Sequence, residues 1–219
     1  MNIQLSDHFT YRRLLRFTLP SIVMMIFTSI YGVVDGFFVS NYVGKTPFAA
    51  VNFIMPLLVI LGALGFMFGT GGSALISKNI GMGKNKKANE IFSLLIYVSI
   101  ILGTVIAILG TIFVRPIAAL LGAEGEMLDN CVLYARVILL ALPFIILQYE
   151  FQSFFVTAEK PQLGLWVTVA SGVTNMIGDW LLITVFDLGL VGAASATAAS
   201  QVIGGLVPLI YFAKKTALC

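Results

Sequence analysis

Three carboxyl side chains lie inside long apolar stretches of this sequence, at Asp35, Glu150 and Asp179. A carboxylate at the centre of a lipid bilayer costs about 2.5–3.5 kcal/mol on insertion scales, so such groups usually face a protein interior or a water-filled cavity. Asp35 lies about five residues and Asp179 about seven residues from the end of its stretch, and at about 1.5 Å per residue both carboxyl groups reach nearly the same depth. We therefore expect the two aspartates at one level of a membrane.

Other oxygen-bearing side chains are expected at the level of the two aspartates. Asn175 precedes Asp179 by four residues and shares its helix face, while Thr197 and Tyr134 reach similar depth in two further stretches. Such a group suits a hard monovalent cation such as Na⁺, or a proton shared by two carboxylates. For Thr197 and Tyr134, hydrogen bonding between helices is the alternative role. Matched depth, together with the assumption that these helices adjoin laterally, predicts a cation site at Asp35, Asn175, Asp179 and Thr197.

Glu150 is expected in the other half of the membrane, apart from this cluster. Gln148 and Gln152 lie close to it in the sequence. The Glu150 side chain either lines a cavity on the cytoplasmic side or extends toward the membrane interface. We take Tyr134, Gln148 and Glu150 as candidates for the lining of a substrate cavity.

The elements that position these side chains are six apolar helices. Of the 219 residues, 59% are hydrophobic and 11% are charged, whereas soluble domains carry roughly 25% charged residues. A helix needs about 20 apolar residues to cross the hydrocarbon layer. Stretches that meet or approach this length lie at about 14–40, 48–76, 91–114, 132–156, 163–186 and 190–212. The predicted fold is an all-α membrane protein, with residues 1–219 forming a single lobe of six transmembrane helices.

The basic residues predict the orientation of this lobe, because cytoplasmic loops of membrane proteins carry an excess of Lys and Arg. With the N-terminus inside, ten of the 13 basic residues lie on the inner side. These are Arg12, Arg13, Arg16, Lys78, Lys84, Lys86, Lys87, Lys160, Lys214 and Lys215. Both termini are therefore expected in the cytoplasm. The first apolar run is too long for a signal peptide and has no cleavage site, so it is expected to stay as a helix.

Several other classes of function lack support in this sequence. It contains no phosphate-binding loop, no HExxH motif and no zinc-ligand spacing, and its single histidine, His8, lies in the polar N-terminal tail. Cys131 and Cys219 form no disulfide framework. We expect no enzyme, no cofactor and no nucleic-acid partner, because no His or Cys lies deep in a span to serve catalysis.

A weak repeat relates the two halves of the chain. Asp35, Gly44 and the pair at 49–50 recur as Asp179, Gly189 and the pair at 193–194, where both pairs are Ala-Ala. Internal repeats are common in secondary transporters. Small residues are abundant in all membrane helices, so the pattern alone does not establish a repeat.

The order and spacing of short segments along the whole chain resemble the multidrug and toxic compound extrusion (MATE) family. The segments are 34–40 (VDGFFVS), 43–44 (VG), 143–144 (PF), 158–161 (AEKP), 175–179 (NMIGD) and 189–194 (GLVGAA), followed by Ala196-Thr197 and Gln201. The resemblance implies an antiporter that exports organic, often cationic, compounds in exchange for Na⁺ or H⁺. It implies a bacterial plasma-membrane location as well.

The resemblance also assigns roles to particular residues. In that family the N-terminal six-helix lobe carries a cation site, whose residues match Asp35, Asn175, Asp179 and Thr197. A tyrosine of the fourth helix corresponds less directly to Tyr134, and Glu150 matches nothing in the pattern.

Family members have twelve helices in two lobes. The chain is therefore expected either to be part of a longer protein with a C-terminal lobe or to pair with a second copy of itself. Two alternatives stay open for its function. A flippase for lipid-linked precursors would need basic residues deep in the spans, and the sequence has none there. A non-transporting membrane protein, either a scaffold or an intramembrane enzyme, is the other, and the enzyme would need a catalytic His or Cys that the spans lack.

Overall fold

A computed structural model describes residues 11–215, which are helical apart from short turns and contain no strand. Within these residues seven α-helices follow one another, and two of them continue into a short π-helix. The α-helices are α1 Tyr11–Phe38, α2 Lys45–Gly81, α3 Asn85–Leu120, α4 Gly125–Leu140, α5 Leu142–Thr157, α6 Pro161–Asp179 and α7 Gly189–Lys215. The π-helices are Val39–Val43 after α1 and Trp180–Val185 after α6.

Two apolar clusters define the two ends of the helix bundle. The first joins the start of α2 to the end of α3, to α4 and to the start of α7, with buried residues such as Ala50, Val114 and Ala193. The second joins the end of α2 to the start of α3 and the ends of α5 and α7. Phe151 and Phe212 stack there with ring centroids 5.6 Å apart. Successive membrane-length helical segments therefore run in opposite directions, as short connections require.

The fourth predicted span, 132–156, is not one continuous helix. Helices α4 and α5 meet at Ala141 with a bend of 59°. Pro143 contributes to this break because it has no N–H and its ring clashes with the carbonyl four residues earlier. A Cβ added at Gly103 of α3 would lie 2.9 Å from the Pro143 Cα, so neighbouring helices pack closely on the bend. By contrast, Pro20, Pro56, Pro116 and Pro208 lie within continuous helices.

The described residues contain four helices long and apolar enough to cross a membrane, and the bent pair α4–α5 adds a fifth candidate. The fifth predicted span, 163–186, corresponds to α6 and its π-helix, but it does not pass the same test. Polar side chains such as Thr174, Asn175 and Asp179 lower the hydropathy of this helix. The prediction of helices throughout is confirmed, while the count of six spans stays a prediction.

Helix α2 packs its glycine-bearing face against α5. Its buried glycines are Gly62, Gly65, Gly69 and Gly72. A Cβ at Gly65 would collide with the Ile146 backbone of α5, whereas Gly71 on the other face has no neighbour within 4 Å. Small residues therefore allow α2 and α5 to approach closely, as is common in membrane helix pairs.

Part of the predicted charge asymmetry cannot be placed on the fold. His8 and the side chains of Arg12, Arg13, Arg16, Lys214 and Lys215 lie outside the described part of the molecule. Lys84 and Asp187, by contrast, are both exposed, in turns at opposite ends of the bundle.

Candidate functional site

Side chains from α1, α6 and α7 meet in a polar cluster around Asp35. The Asn175 Nδ2 donates to Thr197 Oγ1 over 3.3 Å, and Thr197 Oγ1 donates to Asp35 Oδ1 over 3.5 Å. The carboxyl group of Asp179 lies close enough to that of Asp35 for the two to interact. The structure therefore brings together all four residues that the sequence predicts as a cation site.

Close helix packing produces this meeting of side chains. A Cβ at Gly172 of α6 would lie 3.0 Å from the Tyr31 ring, so this glycine lets α1 approach α6. A Cβ at Gly178 would lie 2.9 Å from the Ala196 Cβ, so α7 approaches α6 on another side. The Ser171 hydroxyl donates to the Ser200 carbonyl over 2.7 Å and fixes the register of α6 against α7. Three helices are thus held with their polar faces together.

Both helices that carry an aspartate of the cluster change from α to π geometry near it. Asp179 is the last residue of α6 before the π-helix Trp180–Val185, and Asp35 lies four residues before Val39–Val43. The two π-helices contact each other, and each connects to the next helix at a glycine with positive φ. The weak sequence repeat thus has a structural counterpart. π-Helical turns occur frequently at functional sites.

The cluster opens into a cavity of about 190 Å³. Asp35, Asn175 and Thr197 lie in its wall together with Tyr134, which the sequence also predicts as a lining residue. The polar lining residues that the sequence analysis did not select are Tyr31, Tyr149 and Gln201. Helical spacing could have identified two of them, because Tyr31 precedes Asp35 by four residues and Gln201 follows Thr197 by four.

Many oxygen atoms at this site are buried without a hydrogen-bond partner. They are both carboxyl oxygens of Asp179, Asn175 Oδ1, the Tyr134 hydroxyl and Gln201 Oε1. Asp179 is fully buried and Asn175 is 1% exposed. Buried polar atoms are normally satisfied, because an unpaired one costs free energy. A cation held by these oxygens would satisfy several of them, so the residues present fit a hard cation or a proton.

Gln148 and Glu150 occupy other positions. Neither belongs to the lining of this cavity. The Gln148 side chain packs against Gly204 of α7. Glu150 has no exposed surface and lies beside Ser99 of α3, so it reaches neither the surface of the bundle nor the cavity wall. The separation of Glu150 from the aspartates agrees with its expected position.

Known proteins similar to this chain are membrane transporters. The MatE family model matches residues 20–181. The chain is 36% identical over 207 residues to the multidrug export protein MepA of Staphylococcus saprophyticus, and 33% identical over 206 residues to MepA of Staphylococcus aureus. Each match covers 94% of this chain and 46% of the relative. The chain therefore spans about half the length of these relatives.

A solved structure agrees with these sequence matches. The outward-facing conformation of a multidrug resistance MATE family transporter superposes with a TM-score of 0.85 at 27% identity, covering 93% of this chain and 45% of that one. The family model, the relatives and the fold thus all indicate a transporter, and the expectation that the chain is not an enzyme agrees with them. The chain belongs to the MatE family of multidrug and toxic compound extrusion transporters.

Proposed function

We propose that this chain forms one lobe of a cation-coupled exporter of organic cations. The observation that carries the proposal is the polar cluster of Asp35, Asn175, Asp179 and Thr197, in which Asn175 and Asp179 are buried and which opens to a cavity on one side. The relatives named multidrug export protein support the export of small organic molecules. The same names give no support to the flippase alternative, and the described cavity lining contains no Lys or Arg to hold a phosphate.

The coupling ion in this proposal is Na⁺ or H⁺, held between the two aspartates. Two carboxylates at close range in a low dielectric repel each other, so binding one positive charge stabilises the pair. Thr197 orients the Asp35 carboxylate through its hydroxyl, and Asn175 Oδ1 remains available as a further oxygen ligand. Loss of the ion restores the repulsion and favours a different helix packing, which couples ion binding to the shape of the lobe.

The organic substrate competes with the ion for the same cavity. Tyr31, Tyr134 and Tyr149 line the same cavity as Asp35 and contribute three aromatic rings to its wall. Aromatic faces and a carboxylate both attract a large, poorly hydrated cation. Since one negative site serves both ligands, occupancy by one weakens the binding of the other.

In the membrane, we propose six spans, with α4–α5 as a bent fourth span and α6 with its π-helix as the fifth. Both ends of the chain lie in the cytoplasm, because the inner loops then carry most of the Lys and Arg residues. The membrane is the plasma membrane. The second lobe comes either from a longer form of the protein or from a second copy of this chain, and it completes the cavity.

The proposal is tested by tetraphenylphosphonium binding to the purified full chain. Asp35→Asn and Asp179→Asn should each weaken binding and remove the competition by Na⁺ or H⁺, because each deletes a charge that both ligands use. The double variant should be hardly worse than either single one, since the two carboxylates act as a unit. Varying Na⁺ at fixed pH, and pH without Na⁺, identifies the coupling ion.

Asp187→Asn is the matched control, because it replaces an aspartate by asparagine at an exposed position in the turn before α7. It should bind the probe and respond to the ion like the unaltered chain. Ethidium export from cells lacking their own exporters provides the transport readout. Unchanged ion competition in both single aspartate variants contradicts the proposed site.

A further inference from the structure

Glu150 is a second buried acid, outside the cation site. It has no exposed surface, and neither carboxyl oxygen has a hydrogen-bond partner. Ser99 of α3 is the side chain that interacts with it. The helices packed on α5 carry charged or titratable groups, but within residues 11–215 none of them forms an ion pair or hydrogen bond with Glu150. Those with described side chains are Lys45, Lys78, Lys86, Lys87, Glu90, Tyr97, Arg115, Glu126, Asp129, Cys131, Tyr134, Arg136, Asp179 and Tyr211.

The packing around Glu150 leaves room for a proton but not for a hydrated ion. A Cβ at Gly69 of α2 would lie 2.9 Å from the Glu150 Cα and 3.1 Å from Ser153 Oγ, so the two backbones are in direct contact. An ionised carboxylate without a partner is very unfavourable in such a place, whereas the neutral acid is tolerated. We propose that Glu150 is a second proton-binding site of the lobe, protonated while α2, α3 and α5 are packed together.

Tyr149 connects this site to the cavity, so the inference rests on the proposed function. Its ring lines the cavity and stacks on Phe66 of α2, with centroids 4.4 Å apart. A substrate cation that binds against Tyr149 displaces this stack and loosens the contact between α2 and α5. Water then reaches Glu150, the carboxyl O–H bond breaks, the proton passes to water and a hydrated carboxylate remains. Repacking reverses the transfer.

Infrared spectroscopy of the full chain in lipid nanodiscs tests the first step. A protonated carboxyl group has a carbonyl stretch that an ionised one lacks, and labelling with ¹³C-glutamate shifts this band for glutamate alone. The other glutamates, Glu90, Glu124, Glu126 and Glu159, are exposed or half-buried, whereas Glu150 has no exposed surface, so a glutamate band of the neutral acid is assigned to Glu150. A shifted band should therefore persist at neutral pH in the unsubstituted chain. This measurement does not depend on the folding of any variant. Absence of this band overturns the proposal.

The second step is tested by counting the protons released when tetraphenylphosphonium is added in weak buffer. Glu150→Gln keeps the shape of the neutral acid and should release one proton fewer than the unsubstituted chain. Glu90→Gln, the same change at an exposed position of α3, should release as many as the unsubstituted chain. Equal release from the Glu150 variant and the unsubstituted chain overturns the exchange. The proposed function fails by a different result, which is unchanged ion competition in the two aspartate variants. That result is independent of whether the infrared band of protonated glutamate is present.

Discussion

At the scale of single residues, Thr197 connects the two parts of the cation site. Its hydroxyl accepts from the Asn175 amide and donates to the Asp35 carboxylate, so it bridges α6 and α1 from a third helix. A hydrogen bond to a charged group contributes roughly 1.5–3 kcal/mol, more than one between neutral groups. Thr197 is therefore expected to hold Asp35 in the orientation in which both aspartates face one ion.

We predict that Thr197→Val weakens binding of the coupling ion about tenfold or more, because the valine keeps the shape of threonine and loses only the hydroxyl. The measurement is the concentration of Na⁺ or H⁺ that displaces half of the bound tetraphenylphosphonium. Thr104→Val is the control, since Thr104 is exposed on α3 and donates only to Ile100 O of its own helix. Equal displacement curves for both variants would show that Thr197 plays only a packing role.

The limits of sequence reasoning also become clear at the residue scale. Depth along each apolar stretch predicted that Asp35, Asn175, Asp179 and Thr197 lie at one level, because helix rise is regular, but it did not predict that their helices adjoin laterally. Whether a side chain points to a cavity or into a packed interface depends on neighbouring helices. Glu150 illustrates this, since its burial results from the close approach of Gly69, which its own helix does not specify.

At the scale of elements, apolar length located the helical segments but not the break between α4 and α5. Pro20, Pro56, Pro116 and Pro208 lie within continuous helices, whereas Pro143 accompanies a bend of 59° in the described structure. The difference lies in tertiary packing, because Gly103 of α3 lets that helix contact the bend directly. Similarly, the π-helices after α1 and α6 have no local sequence signal that distinguishes them from α-helix.

The contact between α2 and α5 gives a prediction about stability. Gly65→Ala should lower the melting temperature of the purified chain, because the added Cβ collides with the Ile146 backbone, which cannot rotate away. Overpacking of this kind costs about 1–3 kcal/mol. Gly71→Ala should leave the melting temperature unchanged or raise it, since that Cβ meets no neighbour and alanine favours the helix. Equal melting temperatures for the two variants would mean that α2 and α5 do not pack closely in the membrane.

At the scale of the whole molecule, the bundle has two distinct ends. One contains the turns near Gly44 and Gly189, where the two π-helices meet, and the polar cluster lies on this side. The other contains the aromatic cluster around Phe151 and Phe212. Glu150 lies between the cavity level and this second end, on α5. If the lobe has both termini in the cytoplasm, then the aspartates lie toward the outside and Glu150 toward the cytoplasm.

This orientation predicts the accessibility of introduced cysteines in intact cells. Cysteines at Lys84 and Lys215 should resist an impermeant thiol reagent, and a cysteine at Asp187 should react, because the turn at Lys84 belongs to the inner end and that at Asp187 to the outer end. The background carries Cys219→Ser, and Cys131 is fully buried. Permeabilised cells are the control, in which Lys84 should label as readily as Asp187, since both positions are exposed. Labelling at Lys84 from outside intact cells would contradict the proposed orientation, and with it the assignment of Glu150 to the cytoplasmic half.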